Sequence, residues 1–143
     1  MVPPSERFKP IQKLALHKER KAAAALGESL KQREAARQRL TELRQYRAEY
    51  LERFAGATRA GVSSRQILEY QVFISKLETA ITQQEEIVNR SQQDCDSSKA
   101  QWRGRYTKSK AMDNVVDRMH EAERKDLDRK EQAESDEHAQ RKR

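Results

Sequence analysis

From Ser64 to the C-terminus the chain contains no proline, and residues suited to a helix seam return every seven positions through eight heptads. The a positions fall at Ile67, Ile74, Ile81, Val88, Cys95, Trp102, Ser109 and Val116. The d positions fall at Tyr70, Leu77, Gln84, Ser91, Ser98, Arg105, Met112 and Met119. A repeat sustained for that length is the pattern of a coiled coil. It predicts one helix of about 70 residues, roughly 105 Å at 1.5 Å per residue. Such a helix needs a partner along most of its length or dense charge pairing on its surface. Composition agrees: the chain is 35% apolar and 37% charged, against about 45–50% and 25% in an ordinary domain. A thick two-layer core is excluded. Extended disorder would also suit this composition, and the heptad repeat decides for helix.

The partner lies upstream. Residues from Arg7 to about Phe54 are rich in Ala, Leu, Gln, Glu, Lys and Arg, all good helix formers, with Pro10 placed in a first turn. The cluster from Gly56 to Ser64 breaks the pattern, Gly56 or Gly61 supplying a left-handed residue. Ser63 with Gln66 forms a capping box, and Val62 with Ile67 the matching hydrophobic staple. The expectation is a first helix over about 7–54, a loop over 55–63 and a second helix over about 64–135, one domain throughout.

A short loop makes the two helices antiparallel neighbours. Facing residue numbers then share a constant sum, and 124 layers Phe54 on Tyr70, Tyr50 on Ile74, Leu43 on Ile81, Ala36 on Val88 and Phe8 near Val116. It also sets Trp102 against Ala22 and Arg105 against Glu19. Arg37 and Arg44 approach Glu85 and Glu78. Residues 1–54 hold thirteen cations and seven anions, and residues 67–100 three and six, so the two arms attract. Polar layers at Arg47/Leu77, Arg33/Ser91 and Ser29/Cys95 weaken the stem relative to the tip. The fold class is all-α: an antiparallel coiled-coil hairpin with a C-terminal helical overhang, unpartnered from about Asp117 and held by i to i+4 charge pairs.

Several functions fall away on the same residues. The single cysteine, Cys95, and His17, His120 and His138 lack metal-ligand spacing. No glycine-rich phosphate loop, catalytic triad or cofactor motif occurs. No membrane span or secretory signal is present, which points to the cytosol. A net charge of +7 raises nucleic-acid binding, but acidic residues interrupt the cations and no basic reading motif is found. The aromatics Tyr46 and Phe73 occupy g, where with Arg39 and Ala80 they form one exposed edge. They either shield the seam or anchor a partner.

The order of residues around the loop is distinctive: Leu40, Leu43, Tyr46, Glu49-Tyr50, then Gly61 and Ser63, then Tyr70-Gln71, Phe73-Ile74, Leu77-Glu78, Ala80-Ile81 and Gln83, with Leu26-Gly27-Glu28 before and Trp102 beyond. This resembles the FliJ family of the flagellar type III export apparatus, with the injectisome YscO-type proteins as the nearest alternative. The resemblance implies a non-catalytic, stalk-like coiled coil without a cofactor. Its terminal end would enter the ring of the export ATPase FliI, using Phe8, Ile11, Leu14, Val116, Met119, Arg124 and Leu127. Its hairpin region would meet the export gate protein FlhA through Arg39, Leu43, Tyr46, Tyr50, Phe73, Leu77, Ala80 and Gln84. Contact with export chaperones and peripheral association with the cytoplasmic face of the inner membrane are also implied. The rival readings are a structural coiled coil without an ATPase partner and, less favoured, a basic nucleic-acid-binding protein.

Overall fold

The computed structural model describes residues 2–142, which form two helices, α1 (Pro4–Ala60) and α2 (Ser64–Arg141). Both are longer than the sequence pattern suggests. At the start, the Pro3 carbonyl accepts the Glu6 and Arg7 amides at 3.1 and 3.2 Å, so Pro4 takes the first helical position. That position suits proline, whose missing N–H would be unpaired there anyway. Pro10 consequently lies in the second turn rather than the first, and the helix continues through it.

At its other end α1 does not stop at Phe54. Thr58 Oγ1 donates to the Phe54 carbonyl at 2.8 Å, Arg59 Nε donates to that of Ala55 at 3.3 Å, and Gly56 stays helical. The left-handed residue is Gly61, with φ of 85°, so the connection shrinks to Gly61, Val62 and Ser63. The capping box forms as its sequence implies. Gln66 N donates to Ser63 Oγ at 3.3 Å, and Ser63 N donates to Gln66 Oε1 at 3.2 Å. These reciprocal bonds satisfy two donors that a helix start leaves open.

The two helices pack against each other in antiparallel fashion, and the packing divides into two compact units. The first comprises Ala25–Lys99. Its seam buries Ala36, Leu40, Ile74, Leu77, Ile81 and Cys95. Phe54 stacks on Tyr70 with ring centroids 5.5 Å apart, and Cys95 Sγ donates to the Ser29 carbonyl at 3.0 Å. Both pairs add to 124, the register read from the heptads. Gln84 is buried in the same seam, where its Nε2 donates to the Ala36 carbonyl at 3.0 Å. Small Ala36 leaves the space that this amide fills.

The ion pairs across this unit differ from the expected ones. Arg44 meets Glu85 at 3.8 Å and Arg47 meets Glu78 at 3.2 Å, while Arg37 donates to Gln92 Oε1 at 2.9 Å. The cause is side-chain direction. Helical side chains lean toward their own N-terminus, and in an antiparallel pair long ones meet when their numbers add to more than the backbone register. Arg37 and Glu85 add to less, so their heads diverge.

The second unit comprises the residues up to 24 with those from 100 onward. Its buried positions are Ser5, Ala15, Ser109 and Val116, a thin set dominated by small side chains. Polar pairs hold it instead. Trp102 Nε1 donates to Glu19 Oε1 at 3.0 Å, Gln12 Nε2 donates to Asp113 Oδ1 at 2.8 Å, and Ser5 Oγ donates to Glu123 Oε2 at 2.7 Å. Glu19 therefore pairs with Trp102 and not with Arg105. Pairing also extends further than the sequence implies, to Glu123 rather than Asp117, because α1 begins three residues earlier. Every residue from Arg124 to Arg141 is exposed. Lys125–Glu121, Lys130–Asp126 and Arg141–Glu137 pairs at i to i+4 line that stretch.

Candidate interaction surfaces

In the unit Ala25–Lys99 the helix ends nearest the Gly61 turn bring five aromatic rings together. Tyr50 is the centre. Its ring lies 4.2 Å from Phe73, 5.2 Å from Tyr46 and 6.3 Å from Tyr70, and Tyr46 reaches Phe73 at 5.8 Å. Tilted and edge-on contacts of this kind add about 0.5–1.5 kcal/mol per pair beyond area burial. The rings therefore pack as one cluster and stabilise one another. Tyr46 remains 41% exposed at its edge. A hydrogen bond with Tyr50, aided by desolvation, raises the Tyr46 phenol above the ordinary tyrosine range, so the Tyr46 hydroxyl stays neutral and available as a hydrogen-bonding anchor.

Two shallow depressions flank the rings. Arg39, Glu42, Leu43, Tyr46 and Glu49 line one, and Tyr50, Arg53, Gln66, Glu69, Tyr70 and Phe73 line the other. The Arg53 guanidinium sits 5.3 Å from the Tyr50 ring centroid, within cation–π range. Of the eight residues expected on this face, Arg39 and Tyr46 are exposed, and Leu43, Tyr50, Phe73 and Ala80 are half-buried. Leu77 and Gln84 lie in the seam at 6% exposure each, where they support the face from behind. Arg53 and Tyr70 belong to the surface although the sequence-based set omits them. The signal was present, since Arg53 is three positions from Tyr50 on one helical face and Tyr70 is the seam residue next to Phe73.

The second unit gathers the other expected set. Ile11 and Leu14 are exposed at 48% and 52%, Phe8 and Met119 are half-buried, and Val116 is buried at 4%. Arg124 and Leu127 lie on the unpartnered stretch of α2. At the first turn of α1, Ser5 N donates to Glu123 Oε1 at 3.0 Å alongside the hydroxyl bond. The Glu123 carboxyl is held below the usual carboxylate range by that amide first and then by the Ser5 hydroxyl. A carboxylate at a helix start satisfies open amides and meets the positive end of the helix dipole. A first helix expected from about Arg7 leaves Ser5 outside α1, which begins at Pro4, and so misses this clasp.

No described residues form a group of His, Cys, Asp or Glu able to hold a metal ion. Among the described residues no helix is long and apolar enough to cross a membrane.

Comparison with known proteins bears on the chain as a whole. The family model described as "Flagellar FliJ protein" matches residues 4–142. The flagellar FliJ protein of Escherichia coli (strain K12) is 32% identical over 120 residues, covering 84% of this chain and 82% of the relative. Among solved structures, a Chlamydia trachomatis protein described as a YscO homolog matches with a TM-score of 0.58 at 17% identity, covering 98% of this chain and 94% of the other. At that identity the structural likeness speaks to the fold.

Proposed function

This chain belongs to the flagellar FliJ protein family, non-enzymatic components of the export apparatus, and from that premise we propose that it couples an export ATPase to the export gate. The unit holding both chain ends inserts into the hexameric ring of the ATPase FliI, where a helical rod lacking the ring's symmetry promotes ring assembly and ATP turnover. The aromatic face binds the gate protein FlhA and carries the coupling to the inner membrane. Export chaperones are further partners.

One observation carries this reading: α2 continues from Arg124 to Arg141 with every residue exposed. Ion pairs at i to i+4 support such a stretch by only about 0.2–0.5 kcal/mol each, and the packing that supplies most helical stability is missing from it. A ring that surrounds it would supply the missing contacts. The aromatic face has the composition of an interface centre, with Tyr, Phe and Arg clustered where truncation is most damaging.

Two experiments test the proposal. Ending the chain after Glu123 should abolish stimulation of the purified export ATPase while leaving the Ser5–Glu123 clasp intact; full stimulation by the shortened protein contradicts the ring-insertion reading. Tyr46→Ala with Phe73→Ala should weaken binding to the gate domain by at least about 2 kcal/mol and abolish motility. Unchanged gate affinity contradicts the assignment of this face.

A further inference from the structure

The unit containing both chain ends carries a groove alongside its seam, apart from the Ser5–Glu123 clasp. Ile11, Leu14 and Met112 form its apolar floor, and Lys18, Arg105 and Lys108 stand around it, with no acidic residue among the lining side chains. None of these three cations has an ion-pair or side-chain hydrogen-bond partner among the described residues. The contrast with the same unit's Gln12–Asp113 and Trp102–Glu19 pairs is direct, since there the polar groups are spent within the fold. A second hollow bordered by Ala22, Gly104, Arg105 and Lys108 adjoins the first, and a side chain added at Gly104 would meet open space.

We infer that this groove docks an acidic amphipathic helix of a protein partner. The groove proper encloses about 90 Å³, far below the roughly 300–1,000 Å³ of small-molecule sites. A recess of that size takes one large apolar side chain as an anchor. Apolar anchors at helical spacing, laid into a groove between two helices, are an established recognition mode. The unpaired cations stand on both walls, Lys18 on α1 and Arg105 and Lys108 on α2, so carboxylates flanking the partner's apolar stripe meet a charge on either side. A free anion would engage the cations and leave Ile11 and Leu14 in water. Charge complementarity thus selects a ligand that is both apolar and acidic, and it selects orientation and partner choice more than raw affinity. This deepens the ring-insertion reading by naming the kind of segment that unit accepts, and its test uses no ATPase.

The test titrates the full chain, methyl-labelled at Ile, Leu and Met, with a stapled helical peptide of about four turns bearing a Leu stripe flanked by Glu. A matched peptide carries Lys in place of Glu. The Glu peptide should shift the Ile11, Leu14 and Met112 methyl signals first. Lys18→Glu with Lys108→Glu, both exposed positions, should weaken that peptide at least about tenfold, equivalent to 1.4 kcal/mol, with circular dichroism unchanged. Leu14→Ser should weaken it without altering its salt dependence. Equal binding of the two peptides, shifts confined to other residues, absence of binding, or preference for phosphatidylserine vesicles over the Glu peptide would each overturn the inference. Loss of ATPase stimulation by the truncated chain with this titration intact, or the reverse, separates the two readings.

Discussion

The two units are built from the same pair of helices yet held by different forces. Between Ala25 and Lys99 the seam is Leu40, Ile74, Leu77 and Ile81 with aromatic rings beyond it, and non-directional burial supplies most of the attraction, with the Gln84–Ala36 and Cys95–Ser29 bonds beside it. In the unit of the chain ends, buried residues are small, and directional polar pairs such as Ser5–Glu123 and Gln12–Asp113 set the geometry. Apolar burial does not depend on protonation, whereas charge-assisted bonds do. The difference teaches that one region is held by a force protonation does not reach and the other by bonds that protonation can break. A docking end and a recognition face would divide the work in this way.

Core truncation is the harshest way to probe that contrast. Leu77→Ala, at 6% exposure and in the apolar seam, should lower stability by about 2–4 kcal/mol in urea unfolding. Val116→Ala in the other unit deletes fewer atoms from a thinner core and should cost about half as much. Equal losses would break the distinction between the units.

A milder probe exploits glycine. Gly56 lies inside α1, and an added Cβ meets nothing within 4 Å, so Gly56→Ala should stabilise by about 0.5–1 kcal/mol. Gly61, at φ of 85°, should respond oppositely, with Gly61→Ala destabilising by about 1–2 kcal/mol. Thermal unfolding of the two variants reads both signs.

Acid should act on the polar unit first. The folded Glu123 carboxyl is depressed by the Ser5 amide and hydroxyl, so its contribution is complete above the usual carboxylate range and is lost as pH falls through the lowered folded value. The protection of the first-turn amides of α1 against exchange, taken relative to the intrinsic rate at each pH, should therefore fall on acidification, and Glu123→Gln should remove that loss. Smallest of all, Arg44→Ala breaks an exposed 3.8 Å pair and should shift stability by less than about 0.5 kcal/mol.

Much of this architecture is legible in the residues themselves. Heptad spacing fixes the pairing register because seam positions repeat along the chain, and the Ser63–Gln66 box marks a helix start locally. The edge of Tyr46, Phe73, Arg39 and Ala80 follows from g positions alone. What the pattern misses depends on three dimensions. Helix ends escape it because Pro10 and Gly56 are tolerated where flanking residues favour helix. Ion-pair partners are displaced because Arg and Glu side chains lean along their helices. Gln84 falls at a seam position in the heptads, but its bond to the Ala36 carbonyl is not written in the spacing. The groove joins Leu14 to Met112, a juxtaposition no local signal encodes.

The pairing register underlies every surface assigned above, and cysteine trapping tests it most directly. In a Cys95→Ala background, Leu43→Cys with Ile81→Cys should form an intramolecular disulfide under mild oxidation, as should Ala15→Cys with Ser109→Cys, whose positions are both buried. Leu43→Cys with Ser75→Cys, out of register, should not. Bridges forming in the mismatched pair while both matched pairs stay reduced would contradict the account.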